Sequence, residues 1–525
     1  MKKTILRLAA LVLACLLLAG CAGIGSYGVV KYADMTYTRP DMAALQQSLN
    51  DACEAAKSDD LDTVIAGIYA FYDSYDDFYT NYSLADIKYC GDLTDIYWEG
   101  EYNYCADNAA TVDAGLDTLY RALAQSPCRT ELEGEDYFGA GYFRDYESET
   151  IWDQGYMALM EAESDLVSQY YALSSQGLAH EQGSQAYYDA VADDMAQVLV
   201  DLIGLRQATA AYLGYSSYVD YAYDAYYYRD YTPAQAAEYL EEIRTELVDV
   251  YRRTAESDVW DGTWESATQA QTLAYVRGMA KAMGGTIQDA FSLLEAGGLY
   301  DISYGENKYG ASFETYLYSY YEPFIFMNST GTVYDKLTLA HEFGHFCNDY
   351  ACYGSYAGTD VMEVISQGME YLSLCYADGG EKLTKLKMAD SLCVYVEQAA
   401  FAAFEQQIYA LEAENLTVEN LYALYDQTVK DFGLDSYDYD RREFVTITHY
   451  FTNPMYIISY VVSNDAALQM YQLEQQTPGA GLAVMENSIY PEEAWFESFL
   501  KSVGLTSPFT SGRVQEVKKT FEELF

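Results

Sequence analysis

Apolar residues recur every three or four positions along most of residues 41–300, which is the pattern of amphipathic helices. Pro40 and Asp41 could start the first of these helices, and Leu45 and Leu49 lie on its apolar face. Thr232 and Pro233 supply a cap and a first helical residue further along the chain. Similar runs predict helices at 59–82, 109–125, 151–175, 185–212, 233–255 and 265–283. The sequence therefore predicts a mainly α-helical protein.

The pattern changes to a β pattern between residues 310 and 329. Residues 313–318 alternate, and residues 323–328 form a short β-rich run that ends in turn residues. We expect a small sheet here, followed directly by a helix that begins near 333–335. The free edge of such a sheet could hold an extended peptide by main-chain hydrogen bonds, although a purely structural hairpin would show the same pattern.

The next helix contains the clearest chemical signal, a His-Glu-x-x-His stretch. His341 and His345 are four residues apart in an apolar run without proline, so both imidazoles lie on one helix face. Two such imidazoles are half of a tetrahedral zinc site, and Glu342 is placed to take a proton from a metal-activated water. Two core histidines are the alternative, but the chain has only 4 His, and His449 is a third in a stretch that looks functional.

A third zinc ligand is needed, and the following residues offer two glutamates. Asp360 is predicted to cap a helix that starts at Val361. Glu363 and Glu370 are seven residues apart on that helix and share a face. The pattern alone does not separate them.

Three segments together resemble the thimet oligopeptidase and oligoendopeptidase F family of zinc metallopeptidases. They are Asn328–Gly331, Thr338–His345 and Val361–Gln367. The resemblance implies that Glu363 is the third zinc ligand and that Glu370 is a neighbouring helix residue. It also implies a gluzincin fold in which two helical lobes enclose a deep substrate channel, with a small β-sheet next to the zinc helix.

A segment near the C-terminus, His449–Tyr460, resembles the His/Tyr substrate-contact segment of the same family. Attack on a peptide carbonyl creates an oxyanion, which a phenolic or imidazole donor can stabilise. The resemblance implies that Tyr456 is this donor and that His449 and Tyr460 are its catalytic neighbours. Ile365 stands where the thimet branch has proline, so the specificity of better-known members does not carry over.

The N-terminus is typical of an exported lipoprotein. Three basic residues within the first seven precede an apolar stretch, Leu8–Leu18, that is short for a membrane span. Leu18–Cys21 resembles a bacterial lipoprotein cleavage box. We therefore expect residues 1–20 to be a signal peptide, Cys21 to carry a lipid, and residues 21–40 to be a tether outside the cytoplasm. An ordinary secretory signal or a membrane anchor is the alternative.

Composition narrows the classes of partner. The chain of 525 residues has 81 acidic and 29 basic residues and a formal net charge of −52, which disfavours binding to nucleic acid or anionic lipid. Such a charge serves solubility, or it attracts cationic peptides. Beyond the anchor residue eight cysteines remain, which export permits to form disulfides and which could equally be buried thiols.

These observations predict a monomeric zinc peptidase with one zinc ion per chain. The N-terminal lobe is expected at about 41–230 and the catalytic lobe at about 231–525. Its substrates would be short unstructured peptides that enter a narrow channel. A non-catalytic peptide-binding lipoprotein and a zinc carboxypeptidase of related helical fold are the alternatives.

Overall fold

Helices make up most of the chain in a computed structural model that describes residues 29–147, 151–177, 179–262, 265–354, 357–435, 439–491 and 493–525. The mainly α fold with a small sheet is confirmed. The predicted signal peptide, the lipidated Cys21 and the first part of the tether lie outside the described residues. Among the described helices, none combines the length and the apolar character needed to cross a membrane.

The α-helices are, in chain order, α1 Met42–Ala55, α2 Leu61–Gly91, α3 Ile96–Ala124, α4 Arg129–Leu132, α5 Gln154–Gly177, α6 Gln185–Tyr212, α7 Tyr218–Tyr221, α8 Pro233–Ala255, α9 Gln269–Met283, α10 Gly285–Gly297, α11 Asp335–Cys352, α12 Thr359–Tyr376, α13 Gly380–Cys393, α14 Ala399–Tyr409, α15 Val418–Asp431, α16 His449–Thr452, α17 Ile458–Gln476, α18 Ala480–Ile489, α19 Phe496–Val503 and α20 Arg513–Glu522. The strands are β1 Tyr300–Asp301, β2 Phe313–Leu317 and β3 Glu322–Phe326.

Two compact units contain these elements. One comprises the described parts of Met1–Ala158, Gly284–Thr330 and His345–Tyr356, and the other comprises those of Leu159–Met283, Gly331–Gly344 and Ala357–Phe525. The predicted lobe boundary near residue 230 and the channel between two lobes remain predictions.

In the first unit, helices α1, α2 and α3 pack around an apolar core. Leu49, Phe71 and Leu119 lie in this core, and each is almost fully buried. The carboxylate of Asp41 accepts hydrogen bonds from the backbone N–H groups of Ala43 and Ala44, so Asp41 caps α1 at the point where the sequence predicts its start. The apolar stripes seen in the sequence therefore form the helix interfaces of this unit.

The sheet of the first unit has the order β1-β3-β2. Strand β2 is antiparallel to β3, with Phe313 opposite Phe326, and β1 is parallel to β3. The two predicted strands are confirmed, and the two-residue strand β1 was not predicted because it is too short to show alternation. Strand β2 is at one edge of the sheet, where the Ser83 hydroxyl of α2 lies 3.4 Å from the Tyr316 carbonyl oxygen. A peptide-binding role for this edge remains a prediction.

In the second unit, α12 packs against α17. Gly368 makes the packing close, because a Cβ there would lie 2.8 Å from a Met485 atom and 2.9 Å from the Met470 sulfur. The hydroxyl of Tyr371 is also close to α17, since it donates to the Asn464 Oδ1 at 3.1 Å. Helix α12, which carries both candidate glutamates, is therefore fixed within the core of its unit.

The start of α12 differs from the prediction. The helix begins at Thr359 after an extended Gly358, and Asp360 lies in its first turn without capping it. The carboxylate of Asp360 instead pairs with the buried Arg229 guanidinium, with an N···O distance of 3.3 Å. A buried charge outcompetes the backbone N–H groups for this carboxylate. By contrast, the Thr232 cap of α8 is confirmed, with Gln235 completing a capping box.

The cysteines of the described residues are free thiols. These are Cys53, Cys90, Cys105, Cys128, Cys347, Cys352, Cys375 and Cys393. Of the two alternatives left open by the sequence, the structure therefore has the thiols.

Candidate active site

Helix α11 carries the two histidines, and it begins at Asp335 as the sequence predicts. The Asp335 carboxylate is buried and accepts a hydrogen bond from the Gly331 N–H at 2.9 Å, which fixes the chain just ahead of the helix. His341 and His345 follow on the same helix, one turn apart. Their spacing is therefore set by the helix itself.

Gly344 lets α11 and α12 come into direct contact. A Cβ at this position would lie 2.6 Å from the Cα of Ser366 and 3.0 Å from the carbonyl oxygen of Ile365, closer than real Cβ atoms come to backbone. The close approach brings Glu363 to His341, with 3.5 Å between Oε2 and Nε2. A small residue inside the His-Glu-x-x-His stretch thus has a structural purpose of its own.

The side chains of His341, His345 and Glu363 form a group that could hold a metal ion. One ligand atom from each lies within 4.8 Å of the others. Zinc binds nitrogen and oxygen at about 2.0–2.2 Å, so two ligands of a tetrahedral ion are roughly 3.3 Å apart. The 3.5 Å separation between His341 and Glu363 matches this value, so the three residues fit zinc.

Glu370, the second glutamate that the sequence left open, contacts the other side of the same imidazole. Its Oε1 lies 2.8 Å from the Nδ1 of His341, and its Oε2 accepts from the Nζ of Lys387 at 2.7 Å. Burial opposes ionisation of Glu370, but the Lys387 charge and the contact with His341 hold its pKa below the ordinary value. An ionised Glu370 keeps the proton of His341 on Nδ1 and directs Nε2 towards Glu363.

Lys387 is a site residue that the sequence reasoning missed. It is buried and also pairs with Asp390 at 3.1 Å, and the Tyr334 hydroxyl donates to the same Asp390. A lysine seventeen residues after Glu370 matches no local pattern. Only the packing of α12 on α13 reveals its function.

Glu342 has the electrostatic properties of a general base. It is 6% exposed, and burial raises its pKa to about 7, against the opposing charge of His341. Such a carboxyl group can both accept and release a proton near neutral pH. Burial alone would lower the pKa of His341, but its hydrogen bond with Glu370 and the charge of Glu363 raise it to about 9. A metal ion must therefore compete with a proton for this imidazole.

The C-terminal segment His449–Tyr460 lies next to this group of metal-binding side chains. The hydroxyl of Tyr456 donates to the Oε1 of Glu363 at 2.5 Å, and the ring of His449 lies 5.1 Å from the Tyr456 ring. The Tyr460 hydroxyl lies 3.2 Å from the Nε2 of His449, and burial lowers the pKa of His449 to about 4. The structure thus brings all three residues together beside Glu363, while their catalytic roles remain predictions.

Two buried arginines, neither found by the sequence reasoning, hold this segment in position. The first is Arg206, whose guanidinium donates to the carbonyl oxygen of Tyr450 at 2.8 Å and to that of Phe451. Glu163 balances its charge at an N···O distance of 2.6 Å. Arg206 therefore fixes the chain just after His449.

The second arginine, Arg229, fixes the chain around Tyr456. It donates to the carbonyl oxygen of Met455 at 2.8 Å and to the Ser459 hydroxyl at 2.9 Å. Met455 has a φ of 65°, and its N–H donates to Glu405 at 2.8 Å. Both backbone groups of this left-handed residue are thus held by buried side chains. More than 200 residues separate Arg229 from Met455, so sequence spacing gave no indication of this contact.

Comparison with known proteins shows which proteins this chain resembles. Residues 32–150 match the model of the peptidase M3 N-terminal domain. The chain is therefore similar to peptidase M3 proteins over this N-terminal stretch. This match supports peptide hydrolysis as the reaction class of the chain. No curated protein matches its sequence.

Solved structures share the fold of this chain over nearly its whole length. PZ peptidase A, solved with an inhibitor, has a TM-score of 0.80 at 20% identity, covering 94% of this chain and 98% of that one. A candidate oligoendopeptidase F from Bacillus anthracis has a TM-score of 0.75 at 20% identity with the same coverage. A further candidate oligoendopeptidase F has a TM-score of 0.78 at 21% identity, again covering 94% and 98%. At these identities the likeness establishes the fold.

Proposed function

We propose that this protein is a peptidase of the M3 type, which hydrolyses bonds within short, unstructured peptides and depends on one zinc ion held by His341, His345 and Glu363. The observation that carries the proposal is the convergence of these three side chains next to Glu342. When bound, zinc would lower the pKa of a water molecule and polarise the peptide carbonyl. A channel too narrow for folded proteins, as the family resemblance implies, would restrict the substrates to peptides.

The protein side chains supply the proton transfers and the orientation. Glu342, with a pKa of about 7, accepts the proton of the attacking water and passes it to the leaving amine. Tyr456 donates its hydroxyl proton in a hydrogen bond to the developing oxyanion, next to its partner Glu363. His449 and Tyr460 form the neighbouring polar pair, and Glu370 holds the His341 imidazole in the orientation that leaves Nε2 for the metal.

The two alternatives, a non-catalytic binding protein and a carboxypeptidase, would require different side chains at the site. A binding protein without catalysis needs no general base, whereas Glu342 is buried at the metal group with a pKa suited to proton transfer. A carboxypeptidase needs a cation for the substrate's C-terminal carboxylate. The buried cations among the described residues of this unit are already paired, Lys387 with Glu370, Arg229 with Asp360, Arg206 with Glu163 and Arg513 with Asp465. Cleavage inside the peptide is therefore the favoured reaction.

A mixed peptide library incubated with the zinc-loaded protein tests the proposal, with products identified by mass spectrometry. We expect internal cleavage and no ladder of single residues lost from the C-terminus. The control is Glu342→Gln, which keeps the volume of the side chain but cannot accept the proton. It should bind zinc and peptide normally and lose most turnover. Full turnover by this variant would refute the role of Glu342, and a C-terminal ladder would identify a carboxypeptidase.

We also propose that the protein works outside the cytoplasm, anchored by a lipid on Cys21. The basic start, the apolar stretch and the cleavage box support this proposal, together with the net charge of −52. Labelling with a radioactive fatty acid in a bacterial host tests it. The wild-type chain should take up label and fractionate with membranes, and Cys21→Ser should do neither. Unlabelled wild-type protein would refute the anchor.

A further inference from the structure

A tyrosine-rich stretch follows helix α7 within the second unit, where tyrosine occupies half of positions 222–231. The backbone here is irregular, because Ala222–Tyr226 forms a single π-helical turn and Tyr228 has a φ of 52°. The N–H of Arg229 donates to the carbonyl oxygen of Tyr223 at 2.8 Å and closes the turn. A left-handed backbone is costly for a bulky residue, and π-helical turns are frequent at functional sites. We therefore expect this conformation to serve a specific contact.

Tyr227, in the middle of this stretch, contacts the chain around Tyr456 directly. Its hydroxyl donates to the carbonyl oxygen of Pro454 at 2.9 Å. Its ring centre lies 6.2 Å from that of Tyr456, with the two rings nearly perpendicular. Aromatic rings attract each other in this edge-to-face arrangement. Tyr227, which is only 8% exposed, thus holds both the backbone two residues before Tyr456 and the Tyr456 ring itself.

The face of the Tyr227 ring makes a third contact, with the guanidinium of Arg229. The central carbon of this guanidinium lies 4.5 Å from the ring centre of Tyr227 and 4.6 Å from that of Tyr223. A guanidinium over an aromatic face is attracted to it, and the attraction is stronger where water is excluded. Because Arg229 donates to the Met455 carbonyl oxygen, the Tyr227 ring also supports the residue directly ahead of Tyr456.

The position of the Tyr456 ring matters because its hydroxyl lies at the far end. This hydroxyl donates to the Oε1 of Glu363 at 2.5 Å. A small rotation about the Cα–Cβ bond moves the hydroxyl further than any other atom of the side chain. The rings of His449 and Tyr460 lie 5.1 Å and 5.2 Å from that of Tyr456, and Tyr227 adds a third ring neighbour from a remote part of the sequence. Such packing is what restricts the rotation.

We propose that Tyr227 is a positioning residue for catalysis, which holds the Tyr456 hydroxyl at the place where the oxyanion develops. This inference rests on the proposed peptidase function and adds a residue that acts through Tyr456. It also gives part of the high tyrosine content of the chain a local purpose, because the same ring supports Arg229 and Tyr456.

Two substitutions at Tyr227 separate its hydroxyl from its ring. Tyr227→Phe keeps the ring and frees the Pro454 carbonyl, and we expect kcat to fall about fivefold. Tyr227→Leu removes the ring contacts as well and should lower kcat by about 10–100-fold. Steady-state kinetics on one peptide should show KM within about twofold of the wild type, and chelator competition should show the same for zinc affinity. The matched control is Tyr104→Phe, which loses a tyrosine hydroxyl bond of 2.9 Å to the Pro40 carbonyl in the first unit and should keep its kcat.

A double variant tests whether Tyr227 acts through Tyr456. Once Tyr456→Phe has removed the hydroxyl, its position no longer affects the rate. Tyr227→Leu combined with Tyr456→Phe should therefore be no slower than Tyr456→Phe alone, which is the non-additivity expected of residues that act together. Losses of kcat that multiply would show that Tyr227 acts independently and would overturn the inference.

Hydrogen exchange over residues 449–460, measured by mass spectrometry, distinguishes failure of this inference from failure of the proposed function. This segment should exchange faster in Tyr227→Leu than in the wild type, and at the wild-type rate in Tyr104→Phe. If the wild type cleaves no peptide, the proposed function fails, while faster exchange still supports the hold of Tyr227 on the segment. If the wild type is active, a normal kcat in Tyr227→Leu would overturn the inference. A loss of zinc that accounts for the loss of kcat would overturn it as well, and the peptidase would stand in both cases.

Discussion

Glu363 and Glu370 are alike in type and share a helix face, yet they contact opposite nitrogens of one imidazole. Glu363 faces the Nε2 of His341, and Glu370 faces Nδ1 with Lys387 behind it. The sequence predicts that both glutamates lie on the same helix face, but it does not predict which group each carboxylate contacts. The assignment depends on the crossing of α11 and α12 at Gly344, which no residue pattern specifies.

Replacing each glutamate by alanine should therefore have unequal effects on metal binding. Glu363→Ala removes a ligand, and we expect zinc affinity to fall by more than about 100-fold. Glu370→Ala removes only the partner that orients His341, which typically costs about 10–100-fold. Competition with a fluorescent chelator measures both. A larger loss in Glu370→Ala would exchange the two roles.

Tyr456 should act on the rate more than on binding. If its hydroxyl meets the oxyanion only as charge develops, Tyr456→Phe lowers kcat by about 10²–10³-fold, roughly 3–4 kcal/mol, with a smaller change in KM. Tyr460→Phe is the matched control, since the Tyr460 hydroxyl contacts His449 while that of Tyr456 donates to Glu363. Steady-state kinetics on one peptide compare the two. A greater loss of kcat in Tyr460→Phe would move the role to that residue, and normal kcat in both would make the segment structural.

Among the elements, the segment from α16 to α17 depends most on distant residues. Arg206 and Arg229 hold its carbonyl groups from more than 200 residues earlier in the sequence. The helices themselves were largely predictable, because apolar spacing and caps such as Thr232 are local properties. Asp360 shows where local sequence patterns fail to predict a contact. Its carboxylate pairs with the remote Arg229 and does not cap α12.

Arg229→Lys should damage catalysis without removing the metal. Lysine keeps a charge beside Asp360 but cannot also reach the Met455 carbonyl and Ser459 with the fork of a guanidinium. A misplaced Tyr456 should lower kcat by about 10–100-fold. Zinc affinity should stay within about twofold of the wild type, as measured by chelator competition. A matched loss of zinc would instead show that the arginine supports the metal group.

At the scale of the whole molecule, the helical class and the small sheet were predictable from the sequence, and the lobe boundary remains a prediction. Residues 284–330 and 345–356 group with the N-terminal helices, although residues 159–283, which belong to the other unit, lie between them in the sequence. Helical periodicity reports which face of a helix is buried, but not which distant helix covers it. Lys387, Arg206 and Arg229 were missed for the same reason.

Protonation of His449 should lower the stability of the folded protein in acid. Its pKa is about 4 in the folded chain and near 6.5 when unfolded, so folding favours the neutral form. This stabilisation is complete above pH 6.5 and is lost as the pH falls towards 4, by up to about 3 kcal/mol. Imidazole NMR signals should show one histidine titrating near pH 4, absent in His449→Gln. A His449 midpoint near 6.5 would contradict the prediction.

The left-handed backbone conformation of Met455 affects how this protein could be engineered for heat resistance. A residue with a φ of 65° is an obvious target for replacement by asparagine or glycine, which adopt that conformation at less cost. The gain would come at the position that Arg229 and Glu405 clamp directly ahead of Tyr456. A screen that selects for survival at high temperature alone would collect such replacements, while a screen for turnover would reject those that loosen the clamp. The two selections should diverge at this residue.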